Sequence, residues 1–189
     1  MEKKEYTITA FTENAVGLLN RVTIIFTRRH INIESLTVSA SALKGIHKFT
    51  IVIKATEDQA QKVVNQIEKL VEVLKSFYHT NDEIVYQELA LYKLPTKALL
   101  DDNSVEKIVR EHAARILEIT PEFTTIELTG HEEDLVNLFD RLDKASGVLQ
   151  FTSSGRIAVH REKQEVLTEH LDDLDQIHSE LKIEKVSAK

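Results

Sequence analysis

The hydrophobic period of this chain switches between 2 and 3.6 in a fixed order, and few folds accept that order. Tyr6–Thr12 is rich in β-formers and is followed by the polar turn Glu13–Asn14. From Gly17 onward, Leu18, Leu19, Val22, Ile25 and Phe26 recur at helical spacing and define one apolar face. Asn20, Arg21, Arg28 and Arg29 fall off that face, and Arg28 and Arg29, a solvated C-terminal turn, suit the negative end of a helix dipole. Ile33–Ala40 reads as a strand, and the short loop containing Gly45 leads to a second strand, Ile46–Lys54, so the pair forms a hairpin. Thr56 and Gln59 have the spacing of a capping box. Ala60, Val63, Val64, Ile67 and Leu70 continue as an amphipathic helix, before a strand over Val71–Tyr78. The order βαββαβ is that of a ferredoxin-like unit.

The order recurs. Ile84–Leu94 reads as a long strand ended by Pro95, and Val105, Ile108, Val109 and Ala113 mark a helix. Ile116–Thr120 and Phe123–Thr129 are β-rich runs around a turn at Pro121. Leu135, Leu138, Phe139 and Leu142 mark another helix, and Val148–His160 a final strand broken at Ser154–Gly155. Little direct identity links the halves, so the repeat is one of structure. The expected fold is α+β: two tandem ferredoxin-like βαββαβ domains, residues 1–80 and 81–161, with a boundary near Asn81–Asp82. A helical tail is expected over 162–189, where Leu167, Leu171, Leu174 and Leu181 fall near heptad spacing and Asp172, Asp173 and Asp175 lie between them. Two heptads are too few for a coiled coil, which favours a helix docked on its own domain over an inter-subunit contact.

Composition narrows the function classes. The absence of Cys excludes disulfides, thiolate metal sites and Cys nucleophiles. A net charge of −7 argues against non-specific nucleic-acid binding. RNA-recognition motifs share the βαββαβ order but need aromatic and basic residues on their central strands, whereas Ile33–Ala40 has no aromatic and Ile46–Lys54 only Phe49. The N-terminus MEKKEYTIT lacks the apolar core of a signal peptide and no run reaches membrane-spanning length, so a cytoplasmic protein is expected. None of the eight His residues falls in a His-Glu-x-x-His frame, and His131-Glu132-Glu133 sits at a helix start where acids favour the dipole. Ser153-Ser154-Gly155 is not a nucleophile elbow, and no Gly-rich phosphate loop occurs. No catalytic or metal-binding set emerges.

The functional signal lies in Thr12–Val38. A turn with Asn14 and Gly17 opens a helix whose first N–H groups have no internal partner, a place that can hold a carboxylate. Asn32 could offer a side-chain amide to the same ligand. The same residues also read as plain structure: Asn14 adopting a turn conformation, Gly17 allowing close packing, and Asn32 capping the helix C-terminus.

The segment resembles the opening of an ACT domain. More narrowly, Gly17–Leu18–Leu19, Arg21–Val22, Phe26, Arg29 and Asn32–Ile33–Glu34–Ser35–Leu36 are similar to the regulatory small subunits of acetolactate synthase (acetohydroxyacid synthase). Arg115–Pro121 (RILEITP), Thr124–Gly130 (TTIELTG) and Ser154–Arg156 leading to Ala158–Val159 resemble that family's C-terminal domain. The resemblance implies a non-catalytic subunit without its own cofactor. It would bind a separate large catalytic subunit carrying thiamine diphosphate, Mg and FAD, raise that subunit's activity, and confer valine feedback inhibition on branched-chain amino-acid biosynthesis. It also implies a homodimer with the ligand between two ACT domains, Asn14, Gly17 and Asn32 holding the amino acid's polar ends and Ala15, Leu18, Leu19 and Ile33 lining the side-chain pocket. Neither nucleic acid nor membrane is implied as a partner. Leucine or isoleucine could compete, because an apolar pocket discriminates by only ~1–3 kcal/mol per methylene. The alternative is a stand-alone ACT amino-acid sensor controlling another enzyme or a transcription system. Two departures from the family stand out: Ser39–His47 lacks the acidic, Pro-containing loop of many members, and the tail continues past Arg161.

Overall fold

The computed structural model describes residues 2–101 and 103–161, so the helical tail expected over 162–189 lies outside the described residues. The described residues form two compact units, one of residues up to Val85 joined by residues 158–161, the other Tyr86–Ile157. In the first, β1 (Lys4–Glu13), α1 (Leu18–Thr27), β2 (Ile33–Ala40), β3 (Ile46–Ala55), α2 (Glu57–Ile67) and β4 (Val73–His79) follow the expected order. The four strands form an antiparallel sheet in the order β2-β3-β1-β4, which places β2 at an edge. The apolar side chains of one sheet face, among them Tyr6, Ile8, Ala10, Ile51 and Ile53, pack in one cluster with Leu18, Val22, Ile25 and Phe26 of α1 and Ala60, Val63, Val64 and Ile67 of α2. A bulge at Ile33/Ser35 shifts the alternation of β2, so that Ile33 and Leu36, three apart, both pack against this core.

Local chemistry sets the helix ends. The capping box at Thr56 forms as expected: Gln59 N–H donates to Thr56 Oγ1 at 3.4 Å and Thr56 N–H donates to Gln59 Oε1 at 3.0 Å. Thr56→Ala is expected to cost about 1 kcal/mol, read as a shifted urea midpoint at unchanged slope. At the other end of α1, Ile31 N–H donates to Phe26 O and His30 N–H to Thr27 O, with His30 at φ 54. This is a Schellman termination whose left-handed residue is His30, which removes the reading of Asn32 as the helix cap. Ile31 and Phe26, the pair such a motif brings together, are both buried.

The second unit repeats the order, with β5 (Ile84–Pro95) running into it from the first: α3 (Thr96–Asp101), α4 (Asn103–Glu111), β6 (Arg115–Ile119), β7 (Phe123–Gly130), α5 (Glu132–Ser146) and β8 (Gln150–Ser153) follow, and β9 (Ile157–His160), which pairs with β5, takes the chain back to the first unit. Its sheet runs β6-β7-β5-β8. Pro95 is the last residue of β5, and the chain turns at once into α3, a helix with no apolar periodicity of its own to announce it. The Thr96 hydroxyl fixes that turn by donating to Thr120 O at 2.7 Å. α4 ends as α1 does, with Ala114 N–H on Val109 O, Ala113 N–H on Arg110 O, and Ala113 at φ 52. A Cβ in the left-handed region is strained, so Ala113→Gly is expected to raise stability by roughly 0.5–1 kcal/mol, seen as a higher denaturation midpoint.

Tyr92 is the largest fully buried side chain, and its hydroxyl donates to Leu135 O at 2.8 Å. Burial pushes the phenol up to about 12 from 10.0. An acid whose folded pKa is raised keeps its full contribution below pH 10 and loses it as the unfolded chain ionises first. About 2 kcal/mol of stability is therefore expected to disappear between pH 10 and 12. Tyr92→Phe should be less stable at neutral pH but lose less over that window in alkaline urea titrations.

Candidate functional site

The sequence between β1 and α1 makes an exposed loop held at both ends. Glu13 N–H donates to Glu72 O at 2.8 Å, and Asn14 N–H to Gly45 O of the β2–β3 loop at 3.3 Å. Arg21 of α1 reaches the same Glu72 with a 2.5 Å hydrogen bond, which holds the Glu72 carboxyl below the usual carboxylate range. Within the loop, Ala15 N–H bonds Glu13 O and Leu18 N–H bonds Ala15 O. Asn14 is therefore not in a left-handed turn; Gly17 is, at φ 81.

Gly17 is the N-cap of α1, and the reason for glycine is conformation, not crowding. A Cβ there would meet nothing within 4 Å, so the close-packing reading falls away, but φ 81 would strain any L side chain. No side chain caps this helix and no acid occupies its first turn. By contrast, α2 has Thr56 with Glu57 and Asp58, and α5 has Glu132, Glu133 and Asp134. The amides of Val16, Gly17, Leu19 and Asn20 have no acceptor among the described residues. Four N–H donors without a described acceptor and an uncompensated helix dipole thus gather at one helix start, an arrangement that can bind a small carboxylate.

The other expected residues sit as follows. Ala15 is partly buried against the core, and Leu18, 2% exposed, belongs to it outright. Leu19 is 47% exposed, and Val16, not singled out from the sequence, projects fully into solvent. Ile33 is partly buried, and Asn32 is exposed with its amide donating to Glu34 Oε1 at 3.2 Å. Register keeps the two polar groups of residues apart within one chain. Ile33 pairs with Ile53, which pairs with Tyr6, whereas Ala40 pairs with His47, which pairs with Thr12. Asn32 therefore lies at the level of Tyr6 and the Asn14–Gly17 loop at the level of Thr12–Glu13, about 20 Å along the sheet at a strand rise of ~3.3 Å per residue. Gly45 and Glu72 as anchors of the loop are not legible in the sequence, because each contact depends on how the strands pair, whereas the Asn32–Glu34 bond is local, between residues two apart. Among the described residues, no group of His, Asp and Glu is arranged to hold a metal, and no helix is long and apolar enough to cross a membrane.

Comparison with known proteins follows the same two halves. Residues 8–75 match the family described as AHAS small subunit-like ACT domain, and residues 87–162 match the family described as small subunit of acetolactate synthase. The acetolactate synthase small subunit of Mycobacterium bovis is 32% identical over 161 residues, spanning 85% of this chain and 95% of its own length. That of Bacillus subtilis is 31% identical over 159 residues, spanning 84% and 91%. The crystal structure of the small subunit from Thermotoga maritima superposes with a TM-score of 0.76 at 25% identity, covering 85% of this chain and 99% of that one.

Proposed function

This chain belongs to the family of acetolactate synthase small subunits, and from that membership we propose that it is a non-catalytic, cytoplasmic regulatory subunit that activates the catalytic large subunit and makes it sensitive to valine. Thiamine diphosphate, Mg and FAD would reside on that large subunit and none on this chain. The observation that carries the effector reading is the uncapped start of α1, where the Val16, Gly17, Leu19 and Asn20 amides stand ready for the carboxylate of an amino acid.

Asn32 joins that site only from a second copy. The edge strand β2 offers its outer side for pairing. Antiparallel pairing of β2 with its counterpart across a two-fold axis would set Asn32 of one copy level with Ala40 of the other. Ala40 lies at the level of Thr12, and so beside the Asn14–Gly17 loop. The pocket would then hold the carboxylate on the loop amides and the ammonium on Asn32 and Asn14 oxygens, with Leu19, Ala15 and Ile33 about the side chain. Val38, 39% exposed at that edge, would be covered by the same contact. Valine titration by calorimetry at high and low protein concentration tests this. One valine per chain is expected where the dimer persists and none where it has dissociated, whereas valine binding by monomers would contradict a two-chain site. The stand-alone sensor is the weaker reading, because the second unit also matches the synthase small subunits.

A further inference from the structure

Between α1 and α2 lies an open groove of about 650 Å³ in which Arg21, Arg28, Arg29 and Lys69 surround Ile24 and Leu70. Arg21 is engaged by Glu72, and Arg29 donates to Gln66 at 3.0 Å. Arg28 and Lys69 form no ion pair with any described residue. Ile24, 40% exposed, sits between the arginines at helical spacing. A cationic rim around an aliphatic floor suits an acidic segment that also carries apolar side chains.

The chain contains such a segment. Between Glu162 and Leu181 the sequence holds seven carboxylates against one lysine, which is most of the chain's net −7. Its densest part, Leu171–Asp175, reads LDDLD: two leucines and three aspartates within five residues. The described chain stops at Arg161, whose N–H donates to Glu83 O at 3.0 Å in the same unit as the groove. The ten residues from there to Leu171 can span up to ~33 Å, more than the roughly 12 Å radius of gyration of an 80-residue unit. We propose that the groove between α1 and α2 binds the chain's own Leu171–Asp175 segment, with the aspartates on Arg28, Lys69 and their neighbours and the leucines on Ile24 and Leu70. The proposal does not depend on the effector site.

Hydrogen exchange of the full chain tests it, with protection of the Ile51–Ile53 amides reporting an intact fold. In low salt, the amides of 171–175 are expected to exchange at least about tenfold more slowly than in the free peptide, and to lose that protection in 0.5 M NaCl. Arg28→Glu with Lys69→Glu should abolish the protection, and adding Asp172→Lys, Asp173→Lys and Asp175→Lys to that variant should restore it. Absence of protection in the unaltered chain, or protection that survives reversal of Arg28 and Lys69, would overturn the proposal. So would protection that vanishes on dilution, since the occupant would then be the segment of a second copy.

Discussion

Gly17→Asp is expected to abolish valine inhibition while leaving activation of the catalytic subunit largely intact. Two penalties combine at this position. Gly17 holds φ 81, where a Cβ costs about 1–2 kcal/mol, so the loop amides would turn from their present directions to relieve it. The new carboxylate would also occupy the anion position itself, replacing charge-assisted hydrogen bonds worth about 1.5–3 kcal/mol to the ligand. At 1.4 kcal/mol per decade, the two together predict a loss of about a hundredfold or more in valine affinity. Gly17→Ala carries only the strain and should lose about tenfold. Asn32→Ala should also abolish inhibition, without strain, by removing the anchor proposed to come from the second copy. Valine dose–response curves measured on the reconstituted synthase separate the three; retained sensitivity in both Gly17→Asp and Asn32→Ala would remove the site from this loop.

Arg156→Ala is expected to be the most damaging single substitution in the second unit. Arg156 is 3% exposed, its guanidinium Cζ lies 4.0 Å from the Tyr86 ring centroid, and its Nε is 3.8 Å from Glu88 Oε1. Glu88 is itself buried. Removing one member of a buried ion pair leaves the other charged and desolvated, at a cost of about 3–5 kcal/mol. A unit of this size has only about 4–11 kcal/mol in hand at 0.05–0.15 kcal/mol per residue, so Arg156→Ala should remove a large share of its stability. Glu88→Gln should lose less, and Arg156→Met combined with Glu88→Leu should recover most of the loss. Urea unfolding followed separately for the two units checks this; equal stability of Arg156→Ala and the parent would show that the pair contributes nothing.

The fold was legible because its signal is local. Periodicity placed α1, β2 and α2 nearly as they stand, since Val22, Ile25 and Phe26 or Val63, Val64 and Ile67 each face one core. The Thr56 cap was legible for the same reason, being a contact between residues three apart. What escaped depends on backbone torsion or on partners distant in sequence. His30 and Ala113 adopt left-handed conformations that their side chains disfavour, His30 between buried Phe26 and Ile31 and Ala113 between buried Val109 and partly buried Ala114. α3 follows a proline without an apolar stripe, so nothing in the spacing marks it. The loop proposed to hold the effector was visible as a glycine at a helix start, but its uncapped amides emerge only from the hydrogen bonds. The distance between Asn14 and Asn32 follows from strand register, which a list of residues does not contain. Arg28 and Arg29 close α1 as a helix end with Arg28 exposed, and both also line the open groove beside α2, which depends on the packing of two helices.

The role proposed for this chain is regulation of acetolactate synthase through an amino-acid site. The most direct test is to add it in increasing ratio to the cognate catalytic subunit, follow acetolactate formation, and titrate valine at saturation. Activation that saturates with the added chain is expected, followed by inhibition as valine is raised. Absence of activation at a saturating ratio would contradict it.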